Sequence, residues 1–338
     1  MKEKNLYRSP SNNGLLKFKA DNTIGYEIIN GSISGDEENE KYEILNGIPD
    51  FTFPKDLALI DEQTRSTYEK LADEYDKYAD IPFQTFYSSE HEEREKMTDK
   101  LNLHENSVVL EVGAGDGRGS EHIAKRLGKS AMFYVQELSL AFLKKAVERL
   151  KIYESKTNIE YSVASAMHLP FADDTFDAAL HFGGFNTFSD QKRFFNELVR
   201  VVKPGGKIVV GDESMASWLR DTEIGRIMMN SNPLLKYEIP FNILPKEARA
   251  VKVEWIMMGA FFVLEFTVGE GEPVANYHIP IPSERGGTHW TRYYGTLEGV
   301  DPEIKKIALK AREKIGISMH QWLNKIVKTE AEKILKKK

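Results

Sequence analysis

Cysteine is absent from all 338 residues, which excludes disulfides, thiolate zinc sites and cysteine nucleophiles together, and no metal is expected. Also missing is any apolar run near the ~18 residues that a membrane helix needs. The N-terminus, Met1-Lys-Glu-Lys-Asn5, has no apolar h-region, so no secretory signal is expected and the chain reads as cytoplasmic. An excess of positive charge is lacking as well. The 46 Lys and Arg against 52 Asp and Glu leave a net charge of −6, so nucleic acid is not expected as a partner. The balance is uneven: residues 301–338 carry 11 Lys/Arg against 5 Asp/Glu, leaving −12 for the rest. With 41% hydrophobic residues the chain can build a full core, and its length predicts two domains or one large domain with additions.

The most informative stretch present is Val108-Val-Leu-Glu-Val-Gly-Ala-Gly-Asp-Gly-Arg-Gly119. Its β-branched apolar run predicts a buried parallel strand, and the glycines a tight turn into a helix starting near Ser120. Gly113, Gly115 and Gly117 lack a Cβ, so the backbone can touch a ligand and take positive φ. A dinucleotide loop is spaced G-x-G-x-x-G; here the spacing is E-x-G-x-G-x-G, with Glu111 two residues before the first glycine. A carboxylate there suits a ligand carrying an ammonium group and would repel a diphosphate.

This stretch resembles motif I of the class I S-adenosylmethionine-dependent methyltransferases, with the type 11 or UbiE-like domain as the nearest kind. Four further blocks follow at family spacing: residues 132–139 ending in Glu137-Leu-Ser, residues 159–171, residues 176–190 and residues 197–210 with Pro204-Gly-Gly206. The resemblance covers residues 105–213. It implies a mostly parallel Rossmann-like α/β sheet of seven strands, closed by an antiparallel hairpin, with S-adenosylmethionine as cofactor. It implies a cofactor site at Glu111, Gly113, Ala114, Gly115, Asp116 and Gly117, with Glu137 and Leu138 at the ribose and Ser165, Ala166 and Met167 at the adenine. The family usually carries Asp-Ala at that last turn; Ser165 can accept the same hydrogen bond without charge assistance, or be an ordinary turn residue. Tyr75, beside Asp76, is either the aromatic that covers the cofactor's methionine end or a core aromatic.

Residues 1–55 read as a small β-rich unit, with short strands at Gly14–Phe18, Ile24–Ile29 and Tyr42–Phe51 around the acidic loop 35–40. Its last block resembles the end of the zinc-ribbon-like segment preceding some methyltransferase domains. Those ribbons use four cysteines, so here an apolar core must hold the fold without metal. Helices are expected over 60–104, with Tyr68, Leu71 and Tyr75 sharing one face. The methyltransferase domain is expected to span 56–268, closing with a hairpin that turns at Gly259. Residues 214–250, longer than a connection needs, are expected to cap the ligand crevice.

A C-terminal extension, 269–338, follows. Glu284–Gly295 is dense in Arg, His, Trp and Tyr, which bind anions and planar groups. Two helices are expected, Pro302–Lys314 and Met319–Leu335, with Gly316 ending the first and Ser318 capping the second. Their apolar stripes fit packing on the main domain or on a second subunit, which would make a homodimer.

Methyl transfer from a sulfonium needs alignment and desolvation first, and in many members a base. Candidates for it lie at the carboxyl ends of the fourth and fifth strands, His181, Asn186, Asp212 and Glu213, of which His181 and Glu213 are the catalytic choices. His181 could equally meet the cofactor or the substrate, or be a satisfied core histidine. Phe182, Asn186, Phe188, Trp218, Arg220, Trp290, Arg292 and Tyr294 are the candidate acceptor contacts, for an apolar, planar or anionic small molecule. An RNA methyltransferase, and a non-catalytic S-adenosylmethionine-binding protein, are the competing readings.

Overall fold

A run of apolar residues unbroken by alternation belongs in a strand covered on both faces, and the central strands of this protein obey that rule. The computed structural model describes residues 6–36, 40–297 and 299–336; residues 37–39 of the acidic loop lie outside them. Contacts divide the chain into two units, 1–272 and 273–338.

In the first unit, β1 (Lys17–Ile24), β2 (Glu27–Ser34), β3 (Lys41–Leu45) and β4 (Ile48–Asp50) come first. Three helices follow, α1 (Leu59–Leu71), α2 (Ile81–Thr85) and α3 (Glu90–Lys100). The alternating part is β5 (Val108–Val112), α4 (Ser120–Ala124), β6 (Met132–Glu137), α5 (Leu140–Leu150), β7 (Asn158–Val163), β8 (Phe176–Phe182), α6 (Gln191–Val201) and β9 (Val202–Glu213). After α7 (Glu223–Ser231) the hairpin β10 (Ala248–Ile256) and β11 (Phe261–Val268) closes the unit. The strands form one sheet ordered β1-β2-β3-β4-β7-β6-β5-β8-β9-β11-β10. Strands β7, β6, β5, β8 and β9 are parallel, and β11 runs antiparallel to β9. The expected seven-stranded core is thus present, with four further strands on its β7 edge.

That edge corrects the reading of residues 1–55 as a unit apart. Phe51 N donates to Val163 O at 2.7 Å, and β4 pairs in parallel with β7. Tyr7 stacks on Phe51 and Phe171, with ring centroids 4.9 and 5.4 Å apart, and all three are buried. The aromatic core of the N-terminal strands is therefore continuous with that of the main sheet. Residues 24–29, expected as one strand, instead contain the turn between β1 and β2, where Gly25 takes φ +59°.

Leu110, Val112, Ile208, Val210, Phe262 and Leu264 face one core, with Phe194, Phe195 and Leu198 of α6. Val109, Val209, Phe261 and Val263 face the other, with Met97 and Leu101 at the end of α3, Ile123 of α4, and Leu143, Ala146 and Leu150 of α5. Caps set the helix starts: the Ser139 hydroxyl accepts from Phe142 N, and the Asp190 carboxylate from Arg193 N. The helix expected to carry Tyr68, Leu71 and Tyr75 on one face ends at Leu71, which is exposed, and Tyr75 opens a separate 3-10 turn.

The second unit holds α8 (His289–Tyr294), α9 (Pro302–Lys314) and α10 (Met319–Lys336). Glu284–Gly295 was read for its side chains alone and contains α8, started by a capping box between Thr288 and Thr291. Arg312 of α9 lies over the rings of Tyr293 and Tyr294, 4.6 and 5.3 Å from their centroids. Ala308 and Met319 are buried, so this unit has a small core of its own.

Candidate functional site

The parallel strands end on one side of the sheet, and the strand order reverses beside β5, where open α/β sheets bind ligands. A cavity opens there. Glu111, the last acid of β5, forms its floor; it is buried and accepts a hydrogen bond from the Ser120 hydroxyl. Burial pushes its carboxyl up to about 7. Arg94 of α3 comes close beside it: a Cβ on Gly119 would stand 2.6 Å from Glu111 Oε1 and 3.1 Å from Arg94 Nη1. The cavity floor therefore offers an acid and a guanidinium side by side. Gly113 has φ +65°, and a side chain there would meet the His181 ring at 3.2 Å. Gly117, at φ +83°, lets α5 approach, since a Cβ would stand 2.9 Å from Ala146 Cα.

Glu137 ends β6 and is held by three backbone N–H groups: Gly115 N to Oε2 at 2.9 Å, and Leu138 N and Ser139 N to Oε1 at 2.8 and 2.9 Å. Burial raises its pKa against the pull of those donors. A carboxylate has about four acceptor positions, so one remains for a ligand hydroxyl. Gln136 links the two neighbouring turns, accepting from Gly113 N at 3.3 Å and donating to the Ala164 carbonyl. Beyond β7, Ala164, Ala166 and Met167 line the cavity, while the Ser165 hydroxyl accepts from Met167 N at 3.3 Å, within its own turn.

The opposite wall carries the aromatic residues Phe182, Phe188 and Phe261, with Met257 from the hairpin turn. His181 is buried there; its Nδ1 donates to Val112 O at 2.8 Å, which leaves Nε2 as an acceptor without a partner among the described residues. Burial lowers its pKa to about 4, so the imidazole is neutral. Asp212 and Glu213 form a carboxyl pair at the end of β9. Asp212 accepts from Asn186 N at 2.6 Å and Glu213 N at 2.8 Å; burial and then Glu213 hold its pKa well above the usual carboxylate range. The Glu213 member of the pair is on the cavity wall.

A helix covers the opening. Asp61, Thr64, Arg65 and Tyr68 lie at i, i+3, i+4 and i+7 of α1, and all four line the cavity. Asp61 fastens the helix by accepting from Ser189 N at 3.1 Å and Ser189 Oγ at 2.5 Å. Tyr68 and Tyr75 both meet Phe142 edge-on, with centroids 5.3 and 4.9 Å away. Sequence reading missed this face, together with Arg94, Gln136, Met257 and Phe261. The helical spacing of polar residues from Asp61 to Tyr68 was the available signal.

The expected residues fall into four places. Tyr75, Glu111, Gly113, Ala114, Gly115, Asp116, Glu137, Leu138, Ala166, Met167, His181, Phe182, Phe188 and Glu213 line the cavity. Gly117, Ser165 and Asn186 support it from behind; Asn186 Nδ2 donates to Glu213 O at 2.7 Å. Asp116, although on the wall, is paired to Arg118 and Arg149 at 2.9 and 3.1 Å. Trp218 and Arg220 belong to the 214–250 segment, none of whose residues lines the cavity. Trp218 packs on Trp255, and the Arg220 guanidinium donates to the carbonyls of Met215, Lys236 and Tyr237. Trp290, Arg292 and Tyr294 belong to the second unit, where Arg292 donates to Gly286 O and Ser283 Oγ and the Trp290 ring lies tilted against that of Tyr294, with centroids 4.3 Å apart. Among the described residues no helix is long and apolar enough to cross a membrane.

The ubiE/COQ5 methyltransferase family model matches residues 57–219. The chain is 27% identical over 148 residues to the ubiquinone/menaquinone biosynthesis C-methyltransferase UbiE of Haemophilus ducreyi, covering 44% of this chain and 53% of that protein. It is 29% identical over 157 residues to the demethylmenaquinone methyltransferase of Thermobifida fusca, covering 46% and 61%. The chain thus spans about half the length of the curated relatives it matches. A solved S-adenosylmethionine-dependent methyltransferase from Aquifex aeolicus is 20% identical, with 59% of this chain and 98% of that one covered at a TM-score of 0.42.

Proposed function

We propose, from the class I S-adenosylmethionine-dependent methyltransferase domain that this chain carries, that it methylates a small aromatic acceptor of the quinol or phenol type. The observation that carries the reading is the convergence on one cavity of the Glu111–Arg94 floor, the Gly113 turn and Glu137, facing an aromatic wall. A zwitterionic amino-acid end fits the first pair, its ammonium on Glu111 and its carboxylate on Arg94, while Glu137 accepts from a ribose hydroxyl. When bound, the cofactor supplies a methyl group already activated on a sulfonium. The protein's own part is to align and desolvate. Phe182, Phe188 and Phe261 offer ring faces and edges to a planar acceptor, and α1 with Tyr68 and Tyr75 excludes water. With the cofactor bound, its methyl group would pass in line from sulfur to the acceptor atom, and Glu213 on the cavity wall would take the acceptor's proton. His181, neutral and with its Nε2 lone pair unpartnered among the described residues, can accept a hydrogen bond from the acceptor.

The names of the relatives favour a quinone-type acceptor, and the aromatic wall supports it. Calorimetry with S-adenosylhomocysteine tests the cofactor half: micromolar-range binding and a raised melting temperature are expected. No thermal shift with either S-adenosylmethionine or its product, alongside a shift with NAD, overturns the reading. Transfer of labelled methyl from the cofactor to a panel of naphthoquinols and benzoquinols tests the acceptor half. Transfer to none of them, in a protein that binds cofactor, removes that class.

A further inference from the structure

Helices α3 and α4 bring together a cluster that the cavity does not use. His91 and Glu95 are four residues apart on α3, so they lie on one face of it. His122 of α4 meets them: its Nδ1 is 2.6 Å from Glu95 Oε1, and its ring centroid is 5.0 Å from that of His91. One ligand atom from each of the three lies within 4.8 Å of the others. His122 is buried, Glu95 half-buried and His91 exposed, so the cluster is anchored on the inside and open to solvent on the outside.

We propose that His91, Glu95 and His122 bind one divalent transition-metal ion of the zinc type, with solvent completing the coordination. Two imidazoles and a carboxylate suit such an ion, with bonds of about 2.0–2.2 Å. Ligands at those distances around a tetrahedral ion stand about 3.3 Å apart, so the His122–Glu95 contact need open by only roughly 0.7 Å. Glu95 is already oriented: its other oxygen, Oε2, accepts from Arg126 Nη2 at 2.6 Å. That guanidinium also donates to Asp99 and to the His122 carbonyl, so it keeps its partners while Oε1 turns to the ion. A hydrogen-bonded ligand carboxylate of this kind is the usual support of a metal site.

The site's location gives it a consequence. The same α3 carries Arg94, at the cavity floor, and Glu90, which accepts from Arg118 at 3.3 Å. An ion joining α3 to α4 therefore braces the helix pair beneath the Gly-rich turn. No spacing in the chain marked the site, because 27 residues separate Glu95 from His122.

The test is titration of the full chain, freed of metal by chelator, with zinc chloride by calorimetry and with cobalt chloride by visible absorption. One ion per chain, a raised melting temperature and cobalt bands of low coordination number are expected. His91→Ala, at an exposed position, and Glu95→Gln should each keep the fold by circular dichroism and bind at least roughly tenfold more weakly. Absence of stoichiometric binding to the wild-type chain overturns the proposal, and so does unchanged binding in a folded His91→Ala variant.

Discussion

Glu111 is a buried acid with a pKa near 7, and on the proposed function its charged form is the one that binds an ammonium. A cation held against it lowers that pKa, so cofactor binding releases the proton. Affinity for S-adenosylhomocysteine should be level above about pH 7 and fall by up to about tenfold per pH unit below it. Calorimetry across pH 5.5–8, as a range of roughly neutral conditions, reads this, and Glu111→Gln should bind weakly with little pH dependence. Glu137→Ala should weaken the same binding by about 1.5–3 kcal/mol, because a charge-assisted hydrogen bond to the ribose is lost. Unchanged affinity in the folded variant would mean that β6 does not meet the ribose. His181 runs the other way from Glu111. Its pKa is depressed to about 4 from 6.5, so its contribution to stability is complete above about pH 6.5 and lost as the pH falls toward 4. Its ring resonances should therefore show no titration between about pH 5.5 and 8 by NMR.

Among the elements, the β10–β11 hairpin shows how a turn places a cavity residue. Met257, Met258 and Gly259 all have positive φ, at 46°, 54° and 85°, and the first of them lines the cavity. A Cβ on Gly259 would stand 2.9 Å from Leu219 Cδ1 and 3.2 Å from Ala216 Cβ, so the turn is pressed against the start of the 214–250 segment. Gly259→Ala should cost about 1–3 kcal/mol in chemical denaturation, from strain and contact together. A loss below a few tenths would show that the turn relaxes freely. Helix α1 is the opposite case, an element mostly exposed and held through Asp61. Its polar face was legible as i, i+3, i+4, i+7 spacing, but nothing local said that the face looks into a cavity.

For the whole molecule, the sheet is the unit of cooperation. Phe51 is fully buried between the N-terminal strands and the main sheet. Phe51→Ala should cost about 3–5 kcal/mol and lower the single unfolding transition of residues 1–272 as one. Separate melting of an N-terminal part would contradict the continuous core. Every cavity-lining residue lies within 1–272, so that fragment alone is expected to retain S-adenosylhomocysteine binding. The second unit has its own arginine–tyrosine core around Arg312.

What the chain determined by itself was local and periodic. The apolar runs and glycine turns of residues 108–213 dictated the strand–helix alternation, and the acids ending β5 and β6 marked the ligand edge, because each signal lies within a few neighbouring residues. Gly316, with φ +66°, and Ser318, which accepts from Gln321 N, bounded the last two helices for the same reason. Tertiary structure decided what depends on contacts across the chain. It joined strands β1–β4 to the main sheet through one backbone pairing at Val163. It turned Arg220 inward onto carbonyls and set Arg94 beside Glu111. It also assembled His91, Glu95 and His122 from two helices. None of these has a sequence period, since each is made by burial and by hydrogen-bond partners that only the folded chain brings within reach.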